Sequence, residues 1–283
     1  MSKTQHDEYI EGTGCVAAIR RQLVRWSKLS NAGSVLADGY LRVLNRLPRT
    51  PLPGRHRAFL LRPKGLSGSI LLRPNTTDIH AFADVFYAAE YGGILDFCRP
   101  PPRKILDLGG NIGTSVRYWQ HLFPDAQIVA VEPDAKNFSQ LQKNILLGPA
   151  PANVKVICAF AATADGTAGI DRSQGEYGFR MTTEPGCESI ATISMLKLID
   201  LLAGQDGQVD FLKCDIEGAE ADIFANSQAW IYRIATAVVE THPPYSPEGL
   251  LADVMRAGGI VEHELTLPKM EGRAVVYLRF RHP

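Results

Sequence analysis

An alternation of short apolar runs with helix-periodic segments, beginning near Arg103, is the feature that most constrains the fold of this chain. Apolar runs that are each followed by a helical pattern predict parallel strands covered by helices. The predicted strands are residues 104–108, 127–132, 154–159, 209–215 and 234–241, and the predicted helices are residues 114–123, 135–146, 219–227 and 247–257. Residues 262–267 and 274–280 close the pattern as a hairpin, which must be antiparallel. We therefore predict an α/β fold whose sheet is mostly parallel, with one reversed strand at its edge.

The first hundred residues differ from the rest in charge and in how often prolines and glycines interrupt them. Between Arg20 and Arg73 there are twelve Lys or Arg and a single acid, Asp38, and the segment is interrupted by prolines and glycines. We divide the chain into an N-terminal appendage of helices and loops, residues 1–100, and a regular domain, residues 101–283. The appendage is expected to be a substrate lid or an oligomerisation arm. Its basic stretch is either a solvated face packed on an acidic domain or a surface for an acidic partner.

Composition excludes several classes of protein. Thirty basic and thirty acidic residues cancel, which removes a global argument for nucleic-acid or membrane binding. No apolar run approaches the roughly 18 residues of a membrane span, and the polar start Met1–Glu11 does not resemble a signal peptide. The five cysteines are odd in number and form no CxxC pair, which indicates free thiols rather than a zinc site. We expect a cytoplasmic protein with neither nucleic acid nor membrane as partner.

A glycine-rich turn follows the first predicted strand. In the run Asp107-Leu-Gly-Gly-Asn-Ile-Gly113 the glycines do not fit the dinucleotide spacing GxGxxG, and an acid precedes them. Glu132, at the end of the second strand, is placed to accept hydrogen bonds from both ribose hydroxyls of an adenosine. An acid beside the turn suits a ligand that carries an ammonium, as S-adenosylmethionine does. The predicted cofactor-binding residues are Asp107, Gly109, Gly110, Asn111, Gly113, Thr114, Glu132 and Pro133.

Acidic side chains and a histidine follow the fourth and fifth strands. Asp215 and Glu217 come at the end of one, and Glu240 and His242 at the end of the other. Because ligands bind at the carboxyl ends of parallel strands, we take these four as the candidate catalytic residues. They could instead hold a divalent metal such as Mg²⁺, and spacing alone leaves the two alternatives open. Glu220 is interpreted as an acid that suits the start of a helix.

Together these motifs resemble the FkbM family of S-adenosylmethionine-dependent methyltransferases. The resemblance rests on the glycine turn, on Val131-Glu132-Pro133, on Lys213-Cys-Asp-Ile-Glu-Gly-Ala-Glu220 and on Glu240-Thr-His242, and it covers roughly residues 72–239. Departures are mild, with Gly110 where Ala is usual and Cys214 where a β-branched residue is usual. The resemblance implies a seven-stranded Rossmann-like methyltransferase core and transfer of a methyl group to a hydroxyl of a small metabolite, a natural product or a sugar.

The motifs are compatible with three functions. An O-methyltransferase is the favoured one; a non-catalytic binding module on the same core and an NAD-linked oxidoreductase are the alternatives, and the glycine spacing opposes the last. The expected partner is a small hydroxylated acceptor, and a homodimer is left open. We expect the N-terminal segment and the glycine-rich stretch 163–189, a hairpin or a mobile flap, to shape the acceptor pocket. Candidate lining residues are His80, Phe86, Tyr91 and Tyr177.

Overall fold

The computed structural model describes residues 15–48, 50–172, 179–182, 184 and 186–281, so Met1–Glu11 and Tyr177 lie outside the described residues. The chain forms two compact units that divide between Tyr91 and Gly92. This boundary lies before residue 100 because the short helix 94–97 belongs to the second unit. There the ring of Phe97 packs 5.2 Å from that of Tyr277, in the last strand.

The N-terminal unit contains a short antiparallel hairpin that the sequence patterns did not predict, together with the expected helices. Its elements are α1 (Cys15–Ser27), α2 (Ala32–Arg46), β1 (Phe59–Leu61), β2 (Ile70–Leu72) and α3 (Asp78–Phe86). Asn31 caps α2, since its side chain accepts the N–H of Ser34. Asp38, the single acid of the basic stretch, is fully buried on α2 and pairs with Arg42.

A seven-stranded sheet forms the frame of the C-terminal unit. Its strands are β3 (Lys104–Leu108), β4 (Gln127–Val131), β5 (Val154–Ile157), β10 (Val209–Cys214), β11 (Ile234–Thr241), β12 (Ile260–Pro268) and β13 (Ala274–Arg281). The order is β12-β13-β11-β10-β3-β4-β5. All neighbours pair in parallel except β13, which runs antiparallel to both β11 and β12.

The edge hairpin is confirmed, but the reversed strand lies one place inside the edge. Nearly every residue of β13 is buried, whereas most of β12 is exposed or half-buried. The backbone N–H and C=O groups of a buried strand need partners on both sides, so β13 pairs with β11 and with β12, and the more exposed β12 forms the edge.

Helices cover both faces of this sheet. They are α4 (Ile94–Phe97), α5 (Thr114–Leu122), α6 (Ala135–Leu146), α7 (Met195–Ala203), α8 (Glu220–Ala225) and α9 (Pro247–Arg256). Leu106 and Leu108 of β3 pack into a core with α7, α8 and α9. Asp107 points to the opposite face, because side chains alternate along a strand, and there it meets Trp119 of α5.

A second, four-stranded sheet accounts for the glycine-rich stretch. Its strands are β6 (Phe160–Ala162), β7 (Gly166–Asp171), β8 (Arg180–Thr182) and β9 (Ser189–Ser194), in the order β6-β9-β7-β8. The predicted strand 154–159 is therefore too long, since the chain leaves the large sheet after Ile157 and enters the small one at Phe160. Strands β7 and β8 form the expected hairpin. Helix α7 was not predicted, although its buried residues Met195, Leu198, Ile199 and Leu202 recur at helical spacing.

No helix in the described part of the chain combines the length and the apolar character needed to cross a membrane. Four of the cysteines, Cys98, Cys158, Cys187 and Cys214, are free thiols, two of them buried.

Candidate active site

The site lies where the strand order of the large sheet reverses, between β3 and β10. These strands are parallel neighbours with Leu108 opposite Cys214, so the residues that follow them, Gly109 and Asp215, come side by side. Gly109 has φ of 75°, and a Cβ there would overlap the carbonyl oxygen of Asp215. Only glycine can hold this position. Open α/β sheets bind their ligands at such a reversal point.

The turn after β3 is tied to the neighbouring strand and packed on α6. The N–H groups of Gly109 and Gly110 both donate to the carbonyl of Val131, at 3.0 and 2.9 Å. A Cβ on Gly110 or Gly113 would press against Leu141 of α6. The glycines therefore serve two purposes: the first admits the adjacent strand end, and the others admit a helix.

Glu132 stands at the end of β4 with its carboxylate held by backbone donors. Its two oxygens accept the N–H of Asn111 and of Asp134, each at 2.9 Å. Burial raises the pKa of Glu132 to about 7, although these two hydrogen bonds lower it. Each carboxylate oxygen retains a second lone pair. The residue can therefore accept hydrogen bonds from a ribose and still keep its backbone partners.

One cleft joins this carboxylate to the acids that follow β10. It encloses about 610 Å³ of empty space, its open mouth included. Six predicted site residues line it: Gly109, Asn111, Glu132, Pro133, Asp215 and Glu217. Phe160, Phe179 and Met181 of the small sheet form an apolar wall. Arg172 anchors this wall, since it pairs with Asp134 at the start of α6 and its guanidinium lies 4.9 Å from the ring of Phe179.

Asp107 lies beneath the turn and not on the surface of the cleft. It is fully buried, and one carboxylate oxygen accepts the indole N–H of Trp119 at 2.7 Å. The other accepts no hydrogen bond from any described residue and faces the ammonium of Lys213 at 3.6 Å. Lys213 donates to the carbonyls of Leu108 and Gly109 and lies 3.6 Å from Asp215. Lys213 thus links the acid under the turn to the acid in the cleft.

His242 lies behind the cleft with carboxylates around its ring. Its Nδ1 is 3.1 Å from Glu220, and its Nε2 is 3.3 Å from Glu217 and 3.9 Å from Asp215. Burial lowers the pKa of His242, but the hydrogen bond with Glu220 and the charges of Asp215, Glu220 and Glu217 outweigh it and raise that pKa to about 9. Asp215 does not orient the ring, because 3.9 Å exceeds hydrogen-bond distance. Glu220 holds the ring instead.

Glu220 also shapes the loop that carries the two cleft acids. It is fully buried, and its oxygens accept the N–H of Ile216 and of Gly218 at 2.9 and 2.8 Å. Glu217, between them, has φ of 57°, a left-handed conformation that such a loop must stabilise. Burial, and then the charge of Asp215, raise the pKa of Glu217 to about 7.

The remaining acid, Glu240, forms ion pairs with two cationic side chains. It is buried next to His242 and pairs with Lys269 at 2.6 Å and Arg273 at 3.3 Å. Asp215, Glu240 and His242 offer ligand atoms that all lie within 4.8 Å of one another, as a metal site requires. However, Lys213, Lys269 and Arg273 already balance much of the negative charge here. The cluster therefore does not depend on a divalent ion for its charge balance.

The structure brings the predicted residues to one sheet edge but separates them by depth. Asp107, Gly110, Gly113 and Thr114 support the turn, and Glu240 and His242 lie behind the acids that line the cleft. The sequence patterns did not predict the structural roles of Lys213 and Glu220. The role of Lys213 could have been suspected, because it is a charged residue within a strand that is otherwise mostly apolar.

The residues present fit S-adenosylmethionine. The glycine turn leaves room at the reversal point, and Glu132 faces the cleft with acceptor capacity for a ribose. Asp107 lies beneath the turn, where the ammonium of Lys213 balances its charge. A seven-stranded sheet with this strand order, together with this cleft, defines a Rossmann-like S-adenosylmethionine-dependent methyltransferase.

Comparison with known families specifies the class further. The family model described as the methyltransferase FkbM domain matches residues 107–265, more than half of the chain. The chain belongs to the FkbM methyltransferase family, which confirms the resemblance found in its motifs. No curated protein sequence matches it.

Solved structures similar to the chain include several methyltransferases. Precorrin-6y C5,15-methyltransferase from Geobacter metallireducens is 14% identical, with 68% of this chain and 86% of that one covered and a TM-score of 0.40. Fibrillarin from Aeropyrum pernix, with natively bound S-adenosylmethionine, is 15% identical, with coverage of 83% and 86% and a TM-score of 0.44. Magnesium protoporphyrin IX methyltransferase from Synechocystis PCC 6803 is 9% identical, with coverage of 72% and 82% and a TM-score of 0.43. Identities this low say nothing about the acceptor.

Proposed function

We propose that this protein transfers the methyl group of S-adenosylmethionine to a hydroxyl oxygen of a small metabolite, a natural product or a sugar. The observation that carries the proposal is a single cleft with two chemically different ends. One end has the glycine turn and Glu132, which suit the cofactor, and the other has the carboxylates of Asp215 and Glu217. Adjacent carboxylates suit an acceptor that must lose a proton.

On this proposal the chain's own residues hold the cofactor. Glu132 accepts hydrogen bonds from the ribose hydroxyls, and Asn111 and Gly109 form the floor beneath it. Asp107 acts from below the turn by fixing Lys213, and through it the two carbonyls of Leu108 and Gly109. When bound, the cofactor supplies a methyl group made electrophilic by its sulfonium. Alignment of donor and acceptor in a closed site contributes about 7–11 kcal/mol to such a transfer.

Removal of the acceptor's proton is assigned to the cleft carboxylates. Glu217 lines the cleft, and its carboxylate lies 3.3 Å from Nε2 of His242. The carboxylate can therefore take the hydroxyl proton while the imidazole holds it in place. Asp215 lies beside Lys213 and faces the same space, where it orients the hydroxyl. A positioned base of this kind contributes roughly 10²–10⁴-fold. The alternative is a Mg²⁺ held by Asp215, Glu240 and His242, which would lower the hydroxyl pKa.

The proposal is tested by supplying labelled S-adenosylmethionine to the purified chain with a panel of hydroxylated metabolites and sugars. We expect label in at least one acceptor, at oxygen, and S-adenosyl compounds that copurify with the protein. Glu217→Gln should lose turnover and keep cofactor affinity. Tight cofactor binding without transfer to any acceptor would favour the binding-module alternative, and transfer to nitrogen would overturn the choice of acceptor atom.

A further inference from the structure

The basic stretch of the N-terminal unit presents an unbalanced positive charge. Asp38 is the only acid between Arg20 and Arg73, and it is fully buried. Its carboxylate accepts hydrogen bonds from Gln22, Trp26, Arg42 and Tyr87. No carboxylate of this stretch therefore reaches the surface, although its arginines and lysines do.

Part of this charge gathers in a cleft between the end of α2 and the start of α3, here called the arginine cleft. Six polar side chains line it: Arg42, Asn45, Arg46, Asn75, Thr76 and His80. None of them is an acid. Arg42 and Arg46 are four residues apart on α2, so their guanidinium groups occupy the same face of the helix.

The walls of the arginine cleft are fixed by hydrogen bonds of its neutral side chains. The Asn45 amide donates to the carbonyl of Thr76 and accepts the N–H of Asn75. Asn75 in turn donates to the carbonyl of Arg55, and the hydroxyl of Thr76 donates to that of Arg73. These bonds hold the lining in place around the two arginines, whose guanidinium groups supply its charge.

The two arginines remain able to donate. Asp38 holds Arg42 through Nε and Nη2, which leaves its Nη1 without a bond to any residue that the structure describes. Arg46 is exposed and makes no hydrogen bond or ion pair within the same set of residues. One guanidinium is thus fixed in place by a buried acid, and a second, next to it, is unpaired. Guanidinium pairs match the oxygens and the double charge of a phosphate group.

We propose that the arginine cleft binds the phosphate group of a small soluble molecule, with Arg42 and Arg46 as its cationic ligands. Arg42 supplies the oriented donor and Arg46 the free charge. The site is contained in the N-terminal unit, so the proposal does not depend on the chemistry of the methyltransferase unit.

The test is a titration of the full-length protein with inorganic phosphate, followed by NMR at constant ionic strength with chloride as the reference anion. We expect saturable shifts at the arginine cleft that chloride does not produce. Arg46→Ala should weaken phosphate binding at least tenfold, and Arg46→Lys should weaken it less. The matched control is Arg62→Ala, which removes the same charge from an exposed residue of the same unit outside the cleft, and it should change the affinity less than twofold.

Three results would overturn the proposal. Shifts that do not saturate, or that chloride reproduces, would mean general screening. Equal losses in Arg46→Ala and Arg62→Ala, with both variants folded by circular dichroism, would mean that net charge and not the cleft binds phosphate. The protein could instead be retained on vesicles that contain phosphatidic acid and show no response to inorganic phosphate or glycerol phosphate. That result would mean that the arginine cleft binds a membrane surface and not a small soluble molecule.

Discussion

The Nδ1 atom of His242 lies 3.1 Å from Oε1 of Glu220, a fully buried carboxylate that also accepts two backbone N–H groups of the loop before α8. This contact joins the end of β11 to the loop that carries Asp215 and Glu217. The ring is thereby fixed with its Nε2 facing the cleft acids, and within the described part of the chain this atom makes no hydrogen bond. Glu220 is thus a positioning residue for the proposed reaction and not a participant in it.

Glu220→Gln should reduce kcat by roughly 10²-fold, the low end of what a positioned base contributes, because the amide can no longer accept from both loop N–H groups and the imidazole. Cofactor affinity should change little, since Glu220 does not line the cleft. Steady-state kinetics with calorimetry of cofactor binding would check this, with the exposed Glu264→Gln as control. Wild-type kcat in a folded Glu220→Gln protein would remove the positioning role.

Gly109→Ala should destabilise the protein more than Gly258→Ala. Both glycines have positive φ, near 75° and 87°, which disfavours alanine by roughly 1–2 kcal/mol. A Cβ at Gly258 meets open space, whereas one at Gly109 overlaps the Asp215 carbonyl, which should add about 1–3 kcal/mol. Denaturant unfolding of the two variants gives the difference directly. Equal losses would contradict the close approach of the two strand ends.

Cofactor affinity should rise with pH up to about 7 and then level off. Burial raises the pKa of Glu132 to about 7, so the free protein holds this carboxyl protonated below that pH. Ribose hydroxyls donate best to the ionised form, and binding should therefore be about tenfold weaker at pH 6 than at pH 8. Calorimetry across this range tests it. Glu132→Gln should bind weakly at every pH, and a slope that persists in this variant would implicate another group.

Dialysis against EDTA distinguishes the two mechanisms. If Glu217 is the base, the wild type keeps its turnover without metal, and added Mg²⁺ changes nothing. If a metal acts, EDTA inactivates the enzyme, and Mg²⁺ restores it. The pairing of Glu240 with Lys269 and Arg273 favours the first result. Asp215→Asn should lower kcat strongly in either case, and normal turnover in this variant would exclude Asp215 from the reaction.

A chain that begins at Gly92 should bind S-adenosylmethionine within about threefold of the full-length affinity, because every residue that lines the cofactor cleft lies in the C-terminal unit. Turnover should be lost if the N-terminal unit is the predicted lid. The cut belongs at this boundary, since one at residue 70 would divide the β1–β2 hairpin. Calorimetry and the methyl-transfer assay measure the two properties separately. Full activity of the shortened chain would exclude the lid.

Periodicity was sufficient for the large sheet and insufficient for the small one. Strand β4 contains the unbroken apolar run 128–131 and β11 the run 237–239, and such runs can be recognised from the local sequence alone. Strands β6 and β8 are three residues long, and β7 is half exposed, so each is defined mainly by its partners. The split of the predicted strand 154–159 between two sheets has the same cause.

The sequence by itself determined the methyltransferase core, its glycine turn and the set of acids at the strand ends, because spacing along parallel strands dictates which residues reach one edge. Only the tertiary structure decided how deep each residue lies. It placed Asp107 under the turn with Lys213, paired Glu240 with Lys269 and Arg273, and brought the imidazole of His242 to Glu220 and not to Asp215. Depth and partner choice depend on how loops and helices from distant parts of the chain pack together. No local pattern of residues contains that information.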